Sequence, residues 1–361
     1  MKIISIVGTR PEIIRLSVIF KKLDNFFDHK IIHTGQNFTR ELNEIFFEEL
    51  ELREPDYNLN IIEPNFSSQI GEILKKTEKI LKSEKPDKIL ILGDTNSGLT
   101  SIIAQRLQIP VYHLEAGNRC YDSRVPEELN RRLIDQSSDI LMPYTQRSKE
   151  NLVKEGFKRS KIFIVGNPIT EVLNVFEKKI NQSTVLKDLK LDSKKYFLVT
   201  LHRAENVDIK ERLDIFLKSF EKIYDKYNLP IIISAHPRLL KRIEQFKLSY
   251  DEEKLIFSTP FSLFNFIFLE KNAHCVLTDS GTVQEECCLF GIPNVTLRDV
   301  TERPETMEAG SNIIAGCSIG NIESSVDLAL SSSKDWSIPS DYKILNTSDI
   351  VLKILLSKNP K

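Results

Sequence analysis

Acidic residues stand at the ends of apolar runs in the first half of this chain, at positions where a carboxylate can take or give a proton. Asp94 follows the run Lys88–Leu92 in Gly93-Asp94-Thr95-Asn96, and Glu115 ends another in His113-Leu114-Glu115-Ala116-Gly117. Glu127 and Glu128 open the helical pattern Leu129-Asn130-Arg131-Arg132. Groups of this kind do general acid–base work when they converge on one pocket. Each also has a plainer role: Asp94 as a turn or cap residue, Glu127 as partner to Arg131 one helical turn on, and Glu128 as an ordinary helix-opening acid.

A second set of residues suits phosphate. Gly8-Thr9-Arg10-Pro11-Glu12 follows the first apolar run; the glycine permits a sharp turn, Pro11 fits the first helical position, and free amides beside Arg10 make an anion site. An ordinary strand–helix turn uses the same residues. Asp279-Ser280-Gly281-Thr282 repeats the arrangement later in the chain and opens a helix through Glu286. There a small hydroxyl and a glycine let phosphate oxygens reach backbone N–H groups at a positive helix end. Glu286, one turn inside, is suited to the two hydroxyls of a ribose, although an early acid also compensates a helix dipole. Arg298 and Glu302-Arg303-Pro304-Glu305 follow the next strand, and together these residues point to a nucleoside diphosphate. His202-Arg203 adds a group able to hold a phosphate or carry a proton near neutral pH. His236 is a weaker candidate of the same kind.

Other chemistries find no footing. The chain contains no G-x-G and no G-x-x-x-x-G-K-[ST], so neither the dinucleotide fingerprint nor the NTP phosphate loop is present. No His/Cys/Asp grouping has metal-ligand spacing and no G-x-S-x-G occurs, so no metal site is expected. The five cysteines include no C-x-x-C pair, which fits a reducing compartment.

The elements that must position these residues alternate. Ile3–Val7, Lys88–Leu92, Val111–Leu114, Tyr196–Thr200, Pro230–Ser234, Leu255–Ser258 and Cys275–Thr278 read as strands with helical patterns between them. Strands this uniformly apolar belong to parallel sheets covered on both faces, an α/β fold. A chain of 361 residues is long for one core, so two domains are expected: 1–180 and 181–346, with the boundary near the polar stretch Lys178–Lys195, and a final helix in 347–361 returning to the first. Lys plus Arg (50) nearly cancels Asp plus Glu (51), which builds no large positive field for nucleic acid. No run approaches the roughly 18 apolar residues of a membrane helix, and a cytoplasmic location is expected.

Taken together, GTRPE (8–12), HTGQN (33–37), GDTN (93–96), HLEAG (113–117), VPEELNRR (125–132), HR (202–203), LTDSGTVQEE (277–286) and RDVTERPE (298–305) resemble the non-hydrolysing UDP-N-acetylglucosamine 2-epimerase family. The motifs span most of the chain in the family's order. The resemblance implies two Rossmann-like domains with parallel sheets facing an interdomain cleft, the GT-B-like arrangement of many glycosyltransferases. It implies anti elimination of UDP across C1 and C2 and re-addition after protonation from the opposite face, with no redox cofactor. Asp94, Glu115, Glu127 and His202 then become catalytic candidates. Arg10, His202, Ser280, Gly281, Glu286 and Arg303 fall on UDP-binding positions, and the analogy suggests a homodimer.

Two departures bear on the substrate. The loop before PEE is the short Asn118-Arg119-Cys120-Tyr121-Asp122-Ser123-Arg124, and Thr282 stands where a second glycine is usual. With GTRPEIIRLS, these features resemble the branch that converts UDP-2-acetamido-2,6-dideoxy-L-talose to UDP-N-acetyl-L-fucosamine for capsule or O-antigen. A UDP-N-acetylglucosamine/UDP-N-acetylmannosamine epimerase, a UDP-sugar glycosyltransferase on the same scaffold, and a non-catalytic UDP-sugar sensor are the rival readings.

Overall fold

Lys2–Val7 is apolar on both faces, and a strand of that kind needs cover on both sides. It forms β1, central in a parallel sheet with β2 (Asp28–His33), β3 (Tyr57–Asn58), β4 (Lys88–Leu92), β5 (Val111–Leu114) and β6 (Ile140–Met142), in the order β3-β2-β1-β4-β5-β6. The computed structural model describes residues 1–35, 46–63 and 65–358; Gln36 and Asn37 of the HTGQN motif lie outside the described residues. A second parallel sheet joins β7 (Phe197–Leu201), β8 (Ile231–Ala235), β9 (Leu255–Ser258), β10 (Cys275–Thr278), β11 (Asn294–Thr296) and β12 (Asn312–Ile314), in the order β12-β11-β10-β7-β8-β9. The expected α/β class with two Rossmann-like sheets is what the structure shows.

Each sheet is sandwiched by helices. Ile4, Ile6, Ile89, Ile91 and Val111 share one core cluster with Ile134 from the helix Pro126–Gln136. In the second sheet Phe197, Val199, Ile231, Ile233 and Leu277 pack against Leu213, Phe216 and Phe220 of the helix Lys210–Tyr227. Two strands begin one residue later than the apolar pattern suggests. Pro230 has no N–H to give a ladder, and its carbonyl instead accepts from Phe197 (2.9 Å).

The units divide at different points from those expected. One is Met1–Val175 with Ser340–Lys361, the other Phe176–Pro339. The polar stretch after Lys178 belongs inside the second unit because its few apolar residues are anchored there: Val185 joins a core cluster with Tyr196, Leu198 and Val276, and Leu186, Leu189 and Leu191 pack against it. The chain returns to the first unit before residue 347. There Asp341 accepts from the Gln146 amide (2.9 Å) and the Tyr342 carbonyl from Thr170 (2.8 Å). The last helix, Thr347–Leu356, is capped into the first unit by Glu171, which accepts from the Ser348 amide at 2.7 Å.

Candidate active site

Strand order selects the places to look. In each sheet the connections part at the middle pair, β1/β4 and β7/β10, and the ends of strands at such a switch point are where open α/β sheets bind ligands. The motifs singled out in the sequence fall there.

In the first unit, the helix Arg10–Phe26 that follows β1 carries Glu12, in its first turn, into a position with almost no solvent. Its carboxylate accepts from the backbone N–H of Gly8 (3.0 Å) and Thr9 (2.7 Å), the Thr9 hydroxyl (2.7 Å) and, across the switch point, the Thr95 hydroxyl (2.9 Å). Burial pushes this carboxyl up to about 7 against those donors. Arg10 lies 5.0 Å over the Phe46 ring with its Nε buried and unpartnered among the described residues; loss of water lowers its pKa.

Asp94 and Glu115 leave the adjacent strands β4 and β5, whose last residues are in register. Asp94 receives Arg131 Nε at 2.8 Å, and its backbone carbonyl accepts from Asn130 (3.0 Å). Glu115 is buried, with φ of +69°, an uncommon conformation for a residue with a side chain. Its carboxylate accepts from Arg15 Nη1 (2.7 Å), Asn118 Nδ2 (3.0 Å) and the Tyr144 hydroxyl (3.4 Å). Gly117 turns with φ of +80°, and a Cβ there would stand 2.3 Å from the Ser148 carbonyl oxygen. A glycine is therefore required immediately after the glutamate turn.

Glu127 is half-buried in the first turn of Pro126–Gln136, the helix that also supplies Asn130 and Arg131. Its neighbour Glu128 has the plainer role: it accepts from the amides of Cys120 (3.0 Å) and Tyr121 (3.2 Å) and from Arg131 (2.9 Å). That pins the short loop preceding the helix.

In the second unit, Asp279 is fully buried at the end of β10. It accepts across the switch point from the amides of His202 (3.1 Å) and Arg203 (2.9 Å), from Asn206 Nδ2 (3.1 Å), and meets His202 Nδ1 at 2.9 Å. Burial alone would raise this carboxyl; the His202 charge and these donors hold it far below the usual range. His202 is thereby oriented with its side chain 46% exposed, leaving Nε2 as its outward group. The helix Gly281–Phe290 starts at Ser280, whose side chain makes no capping bond. A Cβ on Gly281 would stand 2.6 Å from Glu302 Oε1. Glu302 is in turn held by Arg298 Nη1 (2.8 Å), with Arg203 at 3.6 Å. Arg303 is buried and paired with Glu285 (2.5 Å).

Glu286 is buried next to Glu270, which is wholly buried in the helix Leu263–Asn272. Loss of water and the Glu286 charge push the Glu270 carboxyl well above its ordinary range. Sequence reasoning missed Glu270, the capping of Glu12, the orienting of His202 by Asp279, and Arg15. Asp279 carried a signal, an acid closing an apolar strand. Arg15 carried none. No group of three His, Cys, Asp or Glu suited to a metal occurs among the described residues, and no helix among them is long and apolar enough to cross a membrane.

Two parallel sheets of one strand order, each with its candidate residues at the switch point, define a two-unit Rossmann-like α/β protein. Comparison with known proteins gives the family. The family model described as UDP-N-acetylglucosamine 2-epimerase matches residues 21–356. The UDP-N-acetylglucosamine 2-epimerase of Methanocaldococcus jannaschii is 44% identical over 349 residues, covering 94% of this chain and 95% of that protein. The UDP-2,3-diacetamido-2,3-dideoxy-D-glucuronate 2-epimerase of Pseudomonas aeruginosa is 37% identical, covering 88% of each. The crystal structure of the Methanocaldococcus jannaschii UDP-GlcNAc 2-epimerase in complex with UDP-GlcNAc and UDP superposes with a TM-score of 0.93, at 42% identity over 98% of this chain and 99% of that one. The chain belongs to the UDP-N-acetylglucosamine 2-epimerase family, and is thus an isomerase, a carbohydrate epimerase.

Proposed function

We propose that this chain inverts carbon 2 of a UDP-linked 2-acetamido sugar by anti elimination of UDP and its re-addition, with no redox cofactor, and that it interconverts UDP-N-acetylglucosamine and UDP-N-acetylmannosamine. The observation that carries the reaction class is the pair of carboxylates Asp94 and Glu115 on adjacent strand ends, each charge-matched by a buried arginine. The C2 hydrogen is not acidic by itself. Departure of the anomeric UDP supplies the driving effect, and acid–base groups on opposite faces of the sugar complete the inversion.

In this reading Asp94, Glu115 and Glu127 exchange the protons. His202 meets the diphosphate through Nε2. Arg10, Ser280, Gly281 and Arg303 hold UDP, and Glu286 takes the ribose hydroxyls. The working form is a cytoplasmic homodimer. The substrate assignment rests on a relative bearing that name at 44% identity over nearly the whole chain, which outweighs the loop features favouring the L-talose sugar. That second reading keeps one specific support. The short loop Asn118–Arg124 is where the motif departs, and Asn118 bonds Glu115 directly, so the departure touches a proposed acid–base group. In that case the product is UDP-N-acetyl-L-fucosamine for capsule or O-antigen.

Proton NMR in D2O, with UDP-N-acetylglucosamine and UDP-2-acetamido-2,6-dideoxy-L-talose in separate tubes, tests both. Deuterium entering C2 of the glucosamine compound with a manno product appearing is the expected result, and exchange in the talose tube alone moves the substrate to the second reading. UDP bound with no exchange in either tube leaves a glycosyltransferase, which releases UDP only with an acceptor, or a sensor, which never does. Asp94→Asn, Glu115→Gln and Glu127→Gln should each lower turnover by more than about 100-fold with UDP affinity nearly unchanged. Near-parental rates in all three would sink the carboxylate assignment.

A further inference from the structure

His113 and Asp135 are buried in the first unit and outside the roles given above. His113 lies in β5, two residues before Glu115. Its Nδ1 lies 2.7 Å from Asp135 Oδ1, and its Nε2 lies 2.8 Å from the Gly93 carbonyl oxygen. Both neighbours are acceptors. A neutral imidazole has one N–H, so one of its nitrogens would set a lone pair against an oxygen lone pair in a buried site. His29, in β2 of the same sheet, differs at one nitrogen: its Nδ1 lies 2.7 Å from Asp24 Oδ1, but its Nε2 faces the Ser5 hydroxyl at 2.9 Å, and a hydroxyl can donate. His29 is satisfied as a neutral ring. His113 is not.

An extra proton is therefore needed on the His113–Asp135 pair, and the surroundings decide where it sits. Asp135 Oδ2 accepts from Arg119 Nη2 (2.7 Å) and the Gly117 amide (3.2 Å). Arg119 also grips Glu155 through Nε (2.8 Å) and Nη2 (2.6 Å). A carboxylate receiving three donors, one of them a guanidinium, stays ionised, and although burial opposes it, these partners hold Asp135 below the usual range. The proton belongs on the ring. Two cations, His113 and Arg119, then balance two anions, Asp135 and Glu155.

The geometry points to His113 and Asp135 as positioning residues for the reacting turns: a buried imidazolium–carboxylate pair that fixes the loop before Asp94 and the loop after Glu115 to the helix carrying Glu127. The Gly93 carbonyl it holds belongs to the residue just before Asp94, at φ of +76°, and the Gly117 amide follows a Glu115 held at φ of +69°. A glycine takes such a φ freely, but the Glu115 conformation persists only when its surroundings fix it. Asp135 lies at the far end of Pro126–Gln136 from Glu127, so one carboxylate ties three candidate acid–base positions together. This role rests on the reading of Asp94, Glu115 and Glu127 as the reacting groups.

The test has two arms on the full chain. Nitrogen-15 NMR of histidine-labelled protein, with His113→Gln identifying the signals, should show both His113 nitrogens protonated under the conditions of the exchange assay. One unprotonated nitrogen there overturns the proposal, and this arm needs no variant to fold stably beyond the assignment. In the kinetic arm, Asp135→Asn should lower the C2 exchange rate by about 30-fold or more while KM and UDP affinity move less than about threefold, and Asp135→Glu should recover part of the rate. Parental exchange in folded Asp135→Asn overturns the positioning role. If Asp94→Asn and Glu115→Gln are themselves fully active, the reading of the reacting groups fails instead, and the positioning role falls with it whatever the nitrogen signals report.

Discussion

The two sheets share one strand order, and in each a single buried carboxylate stitches the switch point closed, yet the two carboxylates are held in opposite ways. Glu12 joins the loop after β1 to the loop after β4, and Asp279 joins the loop after β10 to the loop after β7. Glu12 meets only neutral donors, amides and hydroxyls, and burial lifts it to about 7. Asp279 meets the amides of His202 and Arg203, the Asn206 side chain and the His202 ring, and lies far below the usual range. The same topological stitch therefore comes in a nearly neutral form where acids are gathered and in a charged form where a histidine is presented. The helix starts differ correspondingly. Glu12 satisfies the amides at the start of Arg10–Phe26, whereas Gly281–Phe290 has no side-chain cap. An uncapped helix start is the one suited to phosphate.

The largest effect expected from breaking this pairing comes from Asp279→Asn. The amide offers one acceptor oxygen to four donors and strands the others in a buried site, and it removes the charge that orients His202. Loss of roughly 4 kcal/mol of stability should accompany a clear fall in UDP affinity. Chemical denaturation and calorimetry measure the two. A variant as stable as the parent would mean that the stitch in the second unit carries no more weight than an ordinary turn.

How far the sequence foretold these arrangements depends on the distance over which each is built. The phosphate-type loops are local, a strand end, a glycine and a helix start within a few residues, and Gly8–Glu12 and Asp279–Gly281 were readable for that reason. The long strands were readable because both faces are apolar. The shorter or more polar strands were not named: Asp28–His33 has polar residues at both ends, and Tyr57–Asn58 and Ile140–Met142 are too short to show a period. The partners of the acids were invisible because they come from other elements. Arg15 and Glu115 are 100 residues apart in sequence, and nothing local distinguishes Arg15 from any other helical arginine. The domain boundary was misplaced because composition marks polar surface, whereas a boundary is set by which side the few apolar anchors pack against.

Glu12 gives a sharper, pH-resolved test of the contrast. Its folded value of about 7 lies above the ordinary 4.5, so the folded chain binds more protons than the unfolded chain between those values. The stability this contributes is fully present below about 4.5 and is lost as pH rises through about 7, a change on the order of 3 kcal/mol for a shift of that size. Urea midpoints at about pH 5 and about pH 8 should therefore diverge in the parent and converge in Glu12→Gln, whatever the variant's absolute stability. Parallel losses in the two proteins would show that the four donors keep Glu12 ionised throughout, erasing the difference from Asp279.

The smallest effect concerns the uncapped helix start. Gly281 has an ordinary negative φ, so its requirement is spatial rather than conformational: a Cβ would stand 2.6 Å from Glu302 Oε1. Glu302 cannot simply swing aside, because Arg298 holds its other oxygen at 2.8 Å in a buried pair. Gly281→Ala should therefore cost about 2 kcal/mol through overpacking and weaken UDP binding by shifting the helix start. In the first unit the helix begins at Arg10 and its second residue, Pro11, is exposed, and Pro11→Ala should leave UDP affinity within about twofold of the parent. Equal effects of the two substitutions on UDP titrations would mean that both helix starts serve the diphosphate alike. Loss confined to Gly281→Ala would assign the phosphate-holding role to the uncapped end.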